Sequence, residues 1–187
     1  PIGEEERAAL AAMPAWDEQL KRELGIVRSE GEPESLPERL MVPALNIRGI
    51  TSGNTGALAR NVIPNTAIAA LGIRLVKGND PAHLRQLIVD HIQRQGFHVV
   101  SQDPDMETRR SYPLIAKVTG GGGSRAARTS MTNPFAQSVM AAASMAANQA
   151  FGEGSLVVAP GMGGTLPITP FTEILQKPAI IVPVANH

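Results

Sequence analysis

Hydrophobic positions along the chain change period several times, and each change predicts an element. Over residues 4–24, Leu10, Met13, Leu20 and Leu24 supply apolar positions at helical spacing, and Glu4-Glu5-Glu6 suits a helix N-terminus. Pro14 splits this stretch into two helices, Trp16 begins the packing of the second, and Gly25 is a C-terminal stop. Residues 28–35 are polar and contain Gly31 and Pro33, which predicts a surface loop, with a short helix from Pro37 to Met41. Ala44 to Ile50 then alternates apolar and polar, a strand pattern, and Thr66 to Val76 is a longer strand carrying Ile68, Leu71, Ile73 and Leu75. Joined by roughly fifteen residues, the two form a wide antiparallel pair around a packed or functional loop. Asp80-Pro81 opens a helix as N-cap and first-turn proline, with Leu84, Leu87, Ile88 and Ile92 on its buried stripe and Gly96 as its stop. Strands follow at Phe97–Val100 and Leu114–Val118, so the order is β-β-α-β.

The grammar changes at Gly120-Gly121-Gly122-Gly123-Ser124, which has the composition of a flexible hinge. Asn133-Pro134 opens an Ala/Met-rich helix that ends near Gly152. Leu156 to Ala159 and Ala179 to Val184 are continuous apolar runs of the buried-strand kind, with a glycine turn at Gly161–Thr165 and a capped helix from Thr169-Pro170 to about Gln176 between them. Such runs alternating with helices predict a parallel α/β sheet. Four segments result: a helical one (1–42), an α+β domain (43–119), a glycine hinge (120–129) and a piece of an α/β domain (130–187). The chain opens on Pro1 and stops straight after an apolar run, so it is expected to be a fragment of a longer protein.

Composition narrows the chemistry. Of 187 residues, 43% are hydrophobic, enough for a core, but aromatics are only 3%, which argues against stacking platforms for bases or sugars. Lys+Arg and Asp+Glu both total 17, so no basic footprint for nucleic acid is expected. The helix from Pro134 is interrupted by Gln137, Ser138, Ser144, Asn148 and Gln149, so no membrane span is expected either. Without cysteine there is no thiolate catalysis or Cys-ligated zinc, and the compartment, cytoplasmic or periplasmic/secreted, stays open.

Candidate chemistry is sparse. The histidines are His83, His91, His98 and His187; none forms a His-x-Asp or His-x-x-x-His pair, so this stretch holds no complete metal site. No Gly-x-Ser-x-Gly elbow is present. The glycine run at 120 lacks the Lys-Ser/Thr of a phosphate loop and reads as a linker. The turn Gly161-Met162-Gly163-Gly164-Thr165 lies between a strand and a helix, where it is either a plain connection or a set of backbone donors for an anion. Arg74, inside an apolar strand, either rests on the solvated face or grips a carboxylate bidentately. Asn61 is either a loop residue making local backbone bonds or a functional amide.

Asn61-Val62-Ile63-Pro64, then ten residues later Arg74-Leu75-Val76, then Asp80-Pro81 opening a helix, resembles the lid or dimerisation domain of a zinc metallopeptidase family. That family includes acetylornithine deacetylase, succinyl-diaminopimelate desuccinylase, carboxypeptidase G and carnosine dipeptidase. Gly163-Gly164-Thr165-Leu166-Pro167 and the strand after it resemble the Gly-Gly-Ser/Thr-x-Pro stretch of the family's catalytic domain. The helical segment before residue 43 makes the dipeptidase-like branch the most similar.

The resemblance implies an α+β ferredoxin-like lid, here without its first strand and helix, joined to a piece of an α/β zinc-peptidase-like catalytic domain. It implies two zinc ions whose ligands lie mostly outside this chain, with His187 a weak candidate for the last ligand. It implies that Arg74 grips the substrate's terminal carboxylate, that Gly164 and Thr165 hold the same group, and that Asn61 reaches across a homodimer to the oxyanion in the partner's site. The expected activity is hydrolysis of a peptide or N-acyl amino acid next to a free carboxylate, absent from the 187-residue chain alone. The alternative is a non-catalytic β-α-β ligand-binding or oligomerisation module.

Overall fold

Local signals place most helices. The computed structural model describes residues 2–121 and 123–183. Helices α1 (Glu4–Ala12) and α2 (Asp17–Leu24) flank Pro14, and Gly25 ends α2 in the left-handed region at φ 66°, where the Ile26 N–H returns to the Lys21 carbonyl. The loop after α2 is pinned by charge. Lys21 Nζ reaches Glu18 at 2.8 Å and Glu32 at 2.6 Å, which holds the Glu32 carboxyl below the usual range, helped by the Ser29 N–H. Helix α3 (Leu36–Arg39) begins one residue before the expected Pro37. Ser35 caps it: Glu38 Oε2 accepts from the Ser35 N–H at 2.7 Å, and Ser35 Oγ accepts in return from the Glu38 N–H.

The alternating run becomes β1 (Ala44–Thr51), paired antiparallel with β2 (Ile68–Arg74). Ala44 faces Arg74, Asn46 faces Gly72 and Ile47 faces Leu71; the register then shifts between Ile47 and Gly49, which leaves Arg48 as the extra residue of a bulge. One face of the hairpin carries Leu45, Ile47, Ile50, Leu71 and Ile73. It is bare in this chain, with Leu45 55%, Ile47 64% and Ile50 70% exposed.

Helix α4 (Pro81–Arg94) starts where Asp80 and Pro81 predict it, and Val89 is buried on it. Strand β3 (His98–Val100) follows, then α5 (Met106–Ser111), whose N-cap Asp105 was not anticipated, then β4 (Ile115–Lys117). β3 and β4 pair in parallel, His98 beside Ile115, and His98 stacks on Tyr112 with ring centroids 3.7 Å apart. Helix α6 (Pro134–Phe151) is capped by Asn133 and ends at Gly152.

Four expectations need correction for the described residues. The strands do not join in one antiparallel sheet; they form two separate two-stranded ladders, one of them parallel. Leu156–Ala159 and residues 179–183 are not strands, because neither run exchanges ladder hydrogen bonds with a neighbour; Ala179 instead bonds through both its N–H and its carbonyl to the Thr129 hydroxyl. Beyond Thr169, Pro170–Ile174 forms a π turn in place of an α-helix, closed by Leu175 N–H on the Pro170 carbonyl at 3.0 Å. Trp16 also departs from its expected packing role and is 47% exposed. Pro1, Gly122, Val184 and His187 lie outside the described residues.

The chain divides into two units. One holds residues up to 75 together with 158–163; the other holds 76–157 and the residues from 164 on. Buried apolar side chains are few: Met41, Pro37 and Pro160 in the first, Val89 and Ala136 in the second.

Candidate functional site

In the first unit, the candidate residues sit on and beside the β1–β2 hairpin. The loop between the two strands, residues 52–67, is tied at its base, where Ser52 Oγ donates to the Thr66 carbonyl at 3.0 Å. Gly53 takes φ +63°, and a Cβ there would lie 2.8 Å from Pro64 Cγ, so the two ends of the loop touch. A 3₁₀ turn at Gly56–Leu58 leads to Asn61, which is exposed at the start of the Val62-Ile63-Pro64 stretch, with the Val62 N–H on the Arg60 carbonyl at 2.9 Å. Its amide is free to meet a ligand.

Arg74 ends β2 and is exposed. Strand alternation places it on the face of Gly72, opposite the apolar face. No carboxylate among the described residues pairs with it. Arg48 reaches the same face. Its stem crosses Gly72 so closely that a Cβ on that glycine would sit 2.7 Å from Arg48 Cδ and 3.2 Å from Cγ. Sequence reading passed over Arg48; its shared parity with Asn46 was the available signal, and the bulge that turns it over Gly72 was not legible.

In the second unit, Gly164 and Thr165 are exposed in the irregular segment before the π turn. A separate cleft of about 370 Å³ there is lined by Lys77, Asp80, Arg125, Arg128 and Glu173 among others. Its charges are largely answered internally: Arg125 Nη2 reaches Asp80 at 2.9 Å and Lys77 Nζ donates to the Arg128 carbonyl at 2.5 Å. The His83 N–H, then Arg125, hold the Asp80 carboxyl below its ordinary range. His83, His91 and His98 share no ligand cluster, and no three His, Asp or Glu side chains among the described residues come together as a metal site.

Residues 8–99 match the peptidase dimerisation domain of the M20 family. That stretch is an M20 peptidase dimerisation domain. The matched stretch contains Asn61 and Arg74. A crystal structure of an M20 family metallo-carboxypeptidase, Sso-CP2 from Sulfolobus solfataricus, is similar at a TM-score of 0.71 and 26% identity, over 94% of this chain and 41% of that one. This chain therefore spans about two fifths of the length of that relative. No curated protein matches it. No described helix is long and apolar enough to cross a membrane.

Proposed function

We propose that this chain contributes the dimerisation lid (43–119), a glycine hinge (120–129) and a C-terminal part of the catalytic domain (130–187) to a zinc-dependent M20 hydrolase. In this reading the lid is an α+β unit completed by a strand and helix from elsewhere in the protein. The substrate is a peptide or N-acyl amino acid cleaved next to a free carboxylate. The observation that carries the reading is Arg74: an exposed guanidinium without an ionic partner among the described residues, on the polar face of the hairpin, within the matched dimerisation domain.

The chemistry follows from the groups. A guanidinium presents two parallel N–H donors that suit a carboxylate and fix its register. In the second unit, the exposed Gly164 N–H and Thr165 hydroxyl are also donors of the kind that suit a carboxylate. Asn61 offers an amide N–H₂ that can donate where negative charge develops on the scissile carbonyl, in the active site of a partner copy. The bare apolar face of β1–β2 supports burial by the rest of the lid or by that second copy. The described residues do not fit a metal centre, and the part of this chain is to bind and orient substrate.

Comparison of an N-acyl amino acid with its C-terminal amide tests the reading. In the full-length protein, Arg74→Ala should raise KM about tenfold or more for the free acid and little for the amide. Equal loss on both would remove Arg74 from the carboxylate role, and no hydrolysis of either by the wild-type protein would overturn the enzyme assignment.

A further inference from the structure

The hairpin's polar face holds two guanidiniums, and the single-carboxylate reading uses one. Arg48 and Arg74 flank Gly72: Arg48 lies across it from the bulge of β1, and Arg74 is the next residue of β2 on the same face, about 7 Å further along the strand. Neither has a carboxylate partner among the described residues, although five ion pairs form elsewhere among them. The other residues of this face, Asn46, Thr51, Ile68 and Ala70 among them, carry no charge, so nothing on the hairpin itself offsets the two positive charges. Gly72 is the floor between them; any larger residue would displace the Arg48 stem.

We propose that Arg48 is a second carboxylate-binding residue, and that the hairpin selects ligands bearing two carboxylates a few bonds apart, such as an acidic residue with a free C-terminus. Arg74 takes the terminal carboxylate, and Arg48 takes the second, side-chain carboxylate. A dianion pairs both cations at once, whereas a monoanion leaves one of them without a counter-charge. The bulge matters because regular pairing from Ile47 onward would set Arg48 opposite Ala70; the extra residue instead lets its stem lie over Gly72. This extends the hydrolase reading to its substrate class and rests on it for the assignment of Arg74.

Titration calorimetry of the full-length protein with glutarate and with its monoamide tests the proposal without turnover. Glutarate should bind at least tenfold more tightly than the monoamide. Arg48→Gln should abolish that preference and leave monoamide affinity unchanged, whereas Arg74→Gln should weaken both ligands. Gly72→Ala keeps both charges but displaces the Arg48 stem, and should shrink the preference. Equal affinity of the wild-type protein for the two ligands, or a preference that survives in Arg48→Gln, would overturn the proposal. Hydrolysis of N-acyl glutamate and N-acyl glutamine at equal rates with equal KM would also overturn it and leave the hydrolase reading standing. A glutarate preference in a protein that cleaves no amide would sink the hydrolase reading and leave the two-carboxylate site.

Discussion

Asp80 and Arg125 are joined at 2.9 Å, while the other oxygen of the same carboxylate caps helix α4 through the His83 N–H, also at 2.9 Å. One side chain thus starts the helix and holds the segment after the glycine run. Asp80→Ala should lower Tm by about 2–4 °C, the usual effect of losing a cap in a chain of this size. Arg125→Gln removes only the exposed pair and should have a smaller effect. Amide exchange at His83 and Leu84 separates the two: it should accelerate in Asp80→Ala and stay near wild type in Arg125→Gln.

Acid should destabilise the chain in a defined window. Asp80 is held below its ordinary range mainly by the His83 N–H, Asp105 mainly by the Thr108 N–H, and Asp103 mainly by Lys117. A carboxyl with a depressed folded pKa contributes stability above its unfolded value, near 4, and loses it as pH falls through the folded value. Tm should therefore be flat in carboxylate terms above about pH 5 and fall below about pH 4. Asp80→Asn and Asp105→Asn should each flatten that fall; an unchanged acid limb in the double variant would contradict the assignment.

Met41 is 6% exposed and lies against Gly161, where a Cβ would sit 2.9 Å from the Met41 sulfur. Met41→Ala should cost about 2–5 kcal/mol in urea unfolding, as for other buried large-to-small changes. Gly161→Ala should be better tolerated in Met41→Ala than in the wild-type protein, because the thioether it displaces is gone.

Asn61→Ala should act on turnover. If its amide donates to the developing oxyanion, kcat should fall about 100–1000-fold with KM little changed. Mixed dimers of Asn61→Ala with a subunit inactivated at its own catalytic centre should recover activity, since each would complete the other's site. An unchanged kcat would remove Asn61 from the reaction.

Ile47 probes the bare face of the hairpin. Being 64% exposed in this chain, it should tolerate Ile47→Ser in the isolated 187-residue chain within about 0.5 kcal/mol. In the assembled protein the same change should destabilise the lid or its dimer, read as a larger monomer fraction by sedimentation or as a lower Tm. An assembled protein indifferent to Ile47→Ser would show that this face stays in water.

Sequence alone determined the elements whose causes are local. Asp80-Pro81 and Asn133-Pro134 start helices because an oxygen acceptor and a ring without an N–H meet the needs of a helix N-terminus within a few residues. The alternation through Ala44–Ile50 is likewise enough to specify a strand. Among candidate site residues, Asn61 and Arg74 were singled out through the family resemblance of the stretch around them, and both are exposed on or beside the hairpin. Tertiary structure alone decided the pairing. Parallel neighbours for β3, no ladder for Leu156–Ala159, and a bulge that lays Arg48 over Gly72 depend on which strand lies alongside. Ladder hydrogen bonds form between segments far apart in the chain, so no local pattern encodes them.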